Sequence, residues 1–354
     1  MKHFLILLFL LFYQNAFCQV VLNADGTGNT YELIASVLAP GHNPIEVPDC
    51  NHADFGAHID EIFDEDLNTN VFRFHIHTTP DDDRCRTFDR QRNEIKSYDK
   101  SPDNLLGVEN ETVVYKWKFK LAEGFQSSPN FTHLHQLKSV GGSLASSPMY
   151  TLTTRKGSPD KLELRYAETD DQITLKKTDL APFIGTWLEV TEMITYGFEG
   201  TYEILINRVD NNDNLFSYSN NSIINWRPGA DFVRPKWGIY RNLINEQDLR
   251  DEMVLFANFS IEERGVVTST NPELINEKLI IAHIPDTKTL YLQNYPKDVE
   301  LIQILSINGQ KIIDFKLNPQ TETRINIASL AQGTYVVHLI GKATNLSQLI
   351  AVPK

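Results

Sequence analysis

Short runs in which apolar and polar residues alternate at every second position dominate this sequence from residue 19 to residue 264. A two-residue period places successive side chains on opposite faces of a β-strand, and helical periodicity is nearly absent. Clusters rich in Gly, Pro, Asn and Asp separate the runs and mark turns. The pattern predicts an all-β antiparallel sandwich or jelly roll, which offers a long concave sheet face. Alternating runs occur at residues 71–77, 113–119, 161–166 and 202–207.

The length and net charge of the chain limit its domain organisation and the classes of partner it can bind. The chain has 354 residues, 41% of them hydrophobic and 22% charged, which suffices for one large and one small β domain. The formal net charge is −13 and no basic run is present, which argues against nucleic acid as a partner. An anionic substrate is still compatible with this charge, because a local cluster of Arg and Lys can dominate inside a cleft.

The N-terminus has the layout of a secretory signal peptide over residues 1–18. Lys2 precedes an apolar run at residues 4–13, and Ala16 and Cys18 occupy the −3 and −1 positions of a cleavage site. A lipid anchor on Cys18 is the alternative. The apolar run is too short to span a bilayer and no later segment is apolar enough. We therefore expect a secreted protein without a membrane-spanning segment.

The mature chain keeps two cysteines, Cys50 and Cys85. In an exported protein two cysteines most simply form one disulfide. Closing a loop of about 35 residues would stabilise the fold by roughly 3–4 kcal/mol on the chain-entropy model. Two buried thiols are the alternative.

Three segments concentrate polar side chains on one strand face: residues 91–96, 133–138 and 236–242. Each alternates with a two-residue period and places two or three ionisable or amide groups on the same side. Three such strands in one domain predict a groove lined with cations, amides and a phenol. This surface suits an anionic, hydroxyl-rich polymer.

The composition changes near residues 265–272, which we interpret as a linker. The residues that follow resemble the C-terminal sorting domain of the type IX secretion system, with a Gly hairpin ending at Lys311, a Gly-x-Tyr element at Tyr335 and a terminal Lys354. The resemblance covers roughly residues 275–354. It implies a small β-sandwich in the domain 265–354 and export across an outer membrane by the type IX machinery. A fibronectin-like accessory module is the alternative.

The polar segments of residues 19–264 resemble, in order and spacing, the jelly-roll (concanavalin-like) polysaccharide lyases. In alginate lyases of this architecture the strands read R-x-E-L-R, Q-I-H and Y-F-K-A-G-I-Y-N-Q. Residues 92–96 and 235–242 are similar to the first and third. The middle strand differs, because Gln136-Leu137-Lys138 has lysine in place of histidine. This makes the chain more similar to the ulvan lyases of polysaccharide lyase family 28, with the glucuronan lyases of family 20 as a close alternative.

The resemblance implies a secreted, endo-acting lyase that cuts uronate chains, with ulvan as the favoured substrate, by β-elimination. A base removes the proton at C5, an acid protonates the leaving oxygen at C4, and cations or amides neutralise the carboxylate. The implied catalytic pair is Lys138 as base and Tyr240 as acid; the alternative is Tyr240 as both acid and base, with Lys138 only neutralising charge. Like charge from Arg92, Lys96 or Arg241 would lower the pKa of Lys138. The residues expected to bind substrate are Arg92, Glu94, Lys96, Gln136, His135, Arg241 and Asn242.

The two histidines of the middle segment depend on strand regularity. A regular strand places His133 and His135 opposite Gln136, as a buried, hydrogen-bonded pair. A β-bulge would reverse the assignment, so His135 is the alternative base. Arg92 and Glu94 are expected to form an ion pair in which Glu94 orients Arg92.

No cofactor is required by this chemistry, and no metal ligand is predicted. His75 and His77 can share one strand face, but no third ligand is evident from the sequence, which favours a wet sheet face. The oxygen-rich segments 81–83 and 23–26 are compatible with a structural Ca²⁺, although ordinary turns explain them as well.

Two other functional classes fit the predicted fold. A carbohydrate-binding lectin would bind without forming product and would use aromatic platforms. A glycoside hydrolase needs paired carboxylates on one strand, and the acidic cluster at residues 60–66 lacks the required alternation.

Overall fold

The structure is a computed structural model, and it describes residues 19–266, 280–284, 288–293, 295, 298–306, 310–317, 322–341 and 345–352. The chain divides into two compact units, Met1–Thr268 and Ser269–Lys354. The expected signal peptide lies outside the described residues, as does the expected linker beyond Val266.

The first unit contains fifteen strands and one α-helix in its described residues. The helix, α1, spans Thr30–Leu38 and buries Ile34 and Leu38. Short 3-10 turns occur at Asp103–Leu105, Ala181–Phe183 and Glu246–Asp248. The strands are β1 (Gln19–Leu22), β2 (Ile45–Glu46), β3 (Ile59–Asp64), β4 (Thr69–Ile76), β5 (Arg90–Lys96), β6 (Glu111–Leu121), β7 (Thr132–Val140), β8 (Tyr150–Arg155), β9 (Lys161–Tyr166), β10 (Ile173–Asp179), β11 (Leu188–Thr195), β12 (Gly200–Arg208), β13 (Asn214–Ile223), β14 (Phe232–Asn242) and β15 (Glu252–Val266).

These strands form two antiparallel sheets. The first has the order β13-β12-β11-β6-β15-β4-β3, with β1 also paired to β15. The second has the order β10-β9-β8-β7-β14-β5-β2. Distant strands pair at the centre of each sheet, β6 with β15 and β7 with β14, which is the crossover pattern of a jelly roll. The predicted all-β jelly-roll sandwich is confirmed.

The hydrophobic core lies between the two sheets. Trp117 of β6 and Trp237 of β14 are buried with ring centroids 6.0 Å apart. Tyr150 of β8 and Tyr202 of β12 stack at 4.1 Å. One face of the second sheet is thereby committed to the core, so its other face is free to carry polar groups.

The disulfide Cys50–Cys85 is present, with Cα atoms 6.3 Å apart, and confirms the pairing predicted from the sequence. It joins the segment after β2 to the segment before β5. Among the described residues, no helix has the length and apolar character needed to cross a membrane.

The second unit has seven described strands in two small antiparallel sheets with their own core. The expected hairpin is formed by the third and fourth of these strands, in which Ile304 pairs with Ile313; residues 307–309 of its turn and the terminal Lys354 lie outside the described residues. The strands are β16 (Ile280–Ile284), β17 (Thr289–Gln293), β18 (Val299–Ser306), β19 (Lys311–Lys316), β20 (Glu322–Asn326), β21 (Gly333–Gly341) and β22 (Asn345–Val352). Their sheet orders are β16-β17-β20 and β19-β18-β21-β22.

Candidate active-site groove

The outer face of the second sheet carries the polar side chains predicted to line a groove. In β5, Ile95 belongs to the core, so Arg92, Glu94 and Lys96 project from the opposite face. In β14, Tyr240 pairs with Arg92 and Lys236 pairs with Lys96. Lys236 and Tyr240 of β14 therefore share the outer face with Arg92, Glu94 and Lys96 of β5.

A buried ion network forms the floor of this groove. Lys236 Nζ lies 2.8 Å from Glu94 Oε2, and Lys96 Nζ lies 2.7 Å from Glu46 Oε1. Arg92 contacts Glu94, as expected, and its Nε donates to Asp83 at 2.9 Å. Burial alone would raise the pKa of Glu94, but Lys236 and Arg92 outweigh it and lower that pKa to about 2. Glu94 therefore stays ionised and orients cations.

Gln136 also belongs to this floor. Its amide Nε2 donates to Glu94 Oε1, so it shares the outer face with the ion network. Glu94 itself is fully buried and Gln136 is only 3% exposed. Of the residues expected to bind substrate, Glu94 and Gln136 thus shape the floor, whereas Lys96 is partly exposed.

Tyr240 is held between two guanidinium groups. Arg90 Nη1 donates to the phenol oxygen at 3.0 Å, and Arg92 Cζ lies 3.6 Å from the ring centroid. Burial raises the pKa of Tyr240, and the two arginines offset this only in part. The phenol is therefore protonated at neutral pH and can act as a proton donor.

His133 lies directly opposite Tyr240, a placement that was not expected from the sequence. The two residues are register partners, and their ring centroids are 5.8 Å apart. A β-bulge between His133 and His135 turns His133 to the outer face. Burial lowers the pKa of His133 to about 3, so its imidazole is neutral near pH 7. The Nδ1 atom has no hydrogen-bond partner within the described parts of the chain.

His135 points the other way, into the space between the sheets. Its Nε2 lies 2.8 Å from Glu192 Oε2, its ring packs against Trp117, and only 1% of the residue is exposed. The expected roles of His135 as alternative base and substrate ligand do not fit this position. The sequence contained an indication of the bulge. Leu134 and Leu137 are both apolar but lie three positions apart, so a regular strand would place them on opposite faces and could not bury both in the core.

Lys138 does not lie beside Tyr240. Its register partner on β14 is Arg234, and it lies five positions after His133. Because the bulge takes up one of these positions, the separation along the strand is about 13 Å at roughly 3.3 Å per residue. Lys138 Nζ donates to the carbonyl of Ser146 at 2.8 Å. The implied catalytic pair is thus split between two parts of the groove.

Lys138 and Arg234 form a second cationic patch in the groove. Burial, followed by the charges of Lys236 and Arg234, lowers the pKa of Lys138 to about 8. Arg234 donates to the carbonyl of Ser97 at 3.1 Å. Neither side chain makes an ion pair with a carboxylate among residues that the structure describes, unlike the cations around Glu94. This patch is therefore positioned to receive an external anion.

Arg241 and Asn242 have different positions from those expected. Arg241 faces the interior, where Nε donates to Gln91 Oε1 at 2.8 Å and Nη1 donates to the carbonyl of Arg250 at 2.8 Å. It is fully buried, so it cannot contact a ligand in the groove. Asn242 ends β14, and its Oδ1 accepts from Asn130 Nδ2 at 3.1 Å.

The oxygen-rich segments do not gather their carboxylates around one point. Asp82 accepts from the backbone N–H of Cys85 at 2.7 Å, and Asp83 accepts from Arg92. Asn23 Oδ1 accepts from Asn258 at 3.0 Å. Asp82, Asp83 and Asn23 are thus engaged within the protein, whereas Asp81 lies against histidine side chains.

Comparison with known protein families identifies the second unit. A family model described as a secretion system C-terminal sorting domain matches residues 284–352. The second unit is a secretion sorting domain. The expected type IX sorting signal is confirmed, and the protein is exported, to the extracellular space or the cell surface. No curated protein matches the sequence of the chain.

Solved structures similar to this chain include a glucuronan lyase and alginate lyases. The endo-β-1,4-glucuronan lyase of the fungus Trichoderma reesei has 13% identity and a TM-score of 0.43, covering 68% of this chain and 94% of its own. A PL-14 alginate lyase from Aplysia kurodai has 13% identity and a TM-score of 0.47, covering 69% and 98%. A family 7 alginate lyase has 14% identity and a TM-score of 0.43, covering 64% and 97%. Likeness at this level does not extend to function.

Proposed function

We propose that this protein is a secreted polysaccharide lyase that cleaves a uronate-containing chain by β-elimination in the groove of the second sheet. The observation that carries the proposal is the juxtaposition of His133 and Tyr240. A neutral imidazole and a protonated phenol face each other across neighbouring strands. An elimination needs one group of each kind, a proton acceptor and a proton donor.

In the proposed reaction His133 accepts the C5 proton and Tyr240 donates to the leaving oxygen at C4. The electron pair of the C5–H bond forms the C4=C5 double bond as the C4–O bond breaks. The imidazolium and phenolate then return to their starting states by proton exchange with water. Arg90 and Arg92, which flank Tyr240, supply positive potential where negative charge develops on the uronate.

Binding of the substrate is expected to raise the pKa of His133. In the free groove burial keeps the pKa of His133 low. A uronate carboxylate bound beside the ring adds a negative charge, which favours the imidazolium and raises that pKa toward the working range. The base is therefore strengthened when substrate is in place.

The Lys138–Arg234 patch supports a polymer that carries a second anionic group away from the reacting sugar. Ulvan, which combines uronate with sulfate, is the first candidate substrate on this basis. Glucuronan and alginate are the alternatives, because their carboxylates can also pair with this patch.

The test is formation of the unsaturated uronyl product, followed by its ultraviolet absorbance, on ulvan, glucuronan and alginate in parallel. We expect Tyr240→Phe and His133→Gln each to lower kcat by about 10²–10⁴-fold. We expect Lys138→Ala to raise KM with little change in kcat, because Lys138 would contact a part of the polysaccharide away from the reacting sugar. The matched control is Tyr218→Phe, which removes a phenol from β13 of the other sheet.

Retained activity in both Tyr240→Phe and His133→Gln would refute the proposed pair. A loss of kcat in Lys138→Ala as large as in Tyr240→Phe would restore the Lys138–Tyr240 pair implied by the ulvan lyase resemblance. Binding of a polymer with no product from any of the three would favour a carbohydrate-binding lectin.

A further inference from the structure

Three histidines and one aspartate converge at the end of β4, away from the residues proposed to react. They are His52, His58, His77 and Asp81, and one potential ligand atom of each lies within 4.8 Å of all the others. The sequence offered only the neighbouring pair His75 and His77. The remaining members come from the segment between β2 and β3 and from the turn after β4.

The ligand atoms of this cluster all lie within 4.8 Å of one another, and the contacts to Asp81 are hydrogen bonds slightly shorter than the separations of ligands around one ion. Asp81 Oδ1 lies 2.8 Å from His52 Nδ1 and 3.1 Å from His58 Nε2, and Asp81 Oδ2 lies 3.1 Å from His77 Nδ1. Ligands bonded to Zn²⁺ at about 2.0–2.2 Å in a tetrahedron are separated by roughly 3.3–3.5 Å. Three imidazole nitrogens with one carboxylate oxygen are a donor set that suits zinc.

The cluster also has the outer contacts of a metal site. The second ring nitrogen of His58, Nδ1, lies 2.7 Å from Asp49 Oδ1. Asp49 is itself fixed by the hydroxyl of Tyr31, which donates to its Oδ2 at 2.8 Å. A carboxylate on the far nitrogen of a ligating histidine orients the ring and selects its tautomer. His58 and Asp81 have no exposed side-chain surface, so the ligands are held rigidly.

We propose that His52, His58, His77 and Asp81 form a structural Zn²⁺ site. His75 is excluded from it, because its Nε2 lies 3.2 Å from Asp60 Oδ1 instead. The ion joins the segment that carries His52 and His58 to the one that carries Asp81. The disulfide Cys50–Cys85 links the same two segments, so covalent and metal crosslinks lie side by side.

The site has a consequence for the groove, because the turn that carries Asp81 also supports β5. Gln91 Nε2 donates to the carbonyl of Asp81 at 3.0 Å. Two residues further on, Asp83 accepts from Arg92, whose guanidinium lies over Tyr240. Zinc bound at Asp81 therefore fixes the turn that positions Arg92.

The test is the zinc content and zinc affinity of the full-length exported chain, with no activity measurement involved. We expect one equivalent of zinc per chain, and four-coordinate visible absorption after replacement by Co²⁺. His77→Ala and Asp81→Asn are expected to abolish stoichiometric zinc. Asp49→Asn, which touches no ion, is expected to weaken zinc binding by about 10–100-fold in competition with a chromophoric chelator.

The matched control is His75→Gln, which removes the neighbouring imidazole and is expected to retain one zinc. Circular dichroism establishes that each variant is folded. Chelation is expected to lower the Tm of the wild type and to leave that of Asp81→Asn unchanged. Substoichiometric zinc in the wild type with no change in Tm on adding zinc would overturn the proposal, as would equal loss of zinc in His75→Gln and His77→Ala.

Discussion

Replacing His133 by Gln should make the free energy of unfolding of the large domain less sensitive to acid. Burial lowers the pKa of His133 from 6.5 to about 3 in the folded protein. Between these values the unfolded chain binds a proton at this residue and the folded chain does not. The free energy of unfolding therefore falls as the pH is lowered through this window, and this contribution is absent above pH 6.5.

The magnitude follows from the size of the window. Each pH unit within it costs about 1.4 kcal/mol, so acidification from pH 6.5 to about pH 5 removes roughly 2 kcal/mol through His133 alone. In His133→Gln this term vanishes, so the wild type should lose about 2 kcal/mol more than the variant over that interval. The other titrating groups are the same in the wild type and the variant, so their contributions cancel in this comparison.

Urea unfolding followed by tryptophan fluorescence measures this difference at the two pH values. All four tryptophans lie in the first unit, so the signal reports that unit alone. His42→Gln, which removes an exposed imidazole, is the control and should follow the wild type. Parallel pH dependence of wild type and His133→Gln would refute the assignment of a buried, neutral imidazole at the groove. The tryptophans are Trp117, Trp187, Trp226 and Trp237.

Three further changes test the structure around the groove. Removing the disulfide in the Cys50→Ser/Cys85→Ser double variant should lower the free energy of unfolding, measured by urea unfolding, by about 3–4 kcal/mol. Reduction of the disulfide in the wild type should produce the same loss. Gly238→Ala should lower the free energy of unfolding by at least about 3 kcal/mol, because a Cβ there would lie 2.0 Å from a carbonyl oxygen of β5 and φ is +147°. An unchanged Tm would contradict the register of β14. Glu94→Gln should lower the free energy of unfolding by about 3 kcal/mol, because it leaves buried cations without their negative partner. Glu189→Gln, which breaks the exposed pair with Lys118, should lower it by less than about 1 kcal/mol in the same assay.

The groove strands show how far alternation predicts a site. On β5 the core residue Ile95 and its polar neighbours follow a strict two-residue period, so the faces of Arg92, Glu94 and Lys96 could be predicted. On β7 the period breaks at Leu134, so the expected buried, hydrogen-bonded position fits His135 but not His133. A bulge exchanges the faces of all residues on one side of it, so one extra residue changes which histidine lines the groove.

The separation of Lys138 from Tyr240 has a different cause. Each was correctly assigned to the polar face of its strand, but their distance depends on the register between β7 and β14. Sequence motifs fix which residues share a face and leave open how far one strand is shifted along the next. The inward position of Arg241 was in contrast available from the period, because it is adjacent to the outward Tyr240.

By itself, the sequence determined the properties that depend on local order along the chain. Alternation and turn residues specified an all-β sandwich, two cysteines in an exported chain specified the disulfide, and the C-terminal pattern specified the sorting domain. Tertiary structure alone decided which distant residues meet: His133 with Tyr240, Lys138 with Arg234, and His52 and His58 with His77 and Asp81. The reason is that these contacts depend on strand register, bulges and the packing of loops, which arise from the whole fold and leave no periodic signal in any one segment.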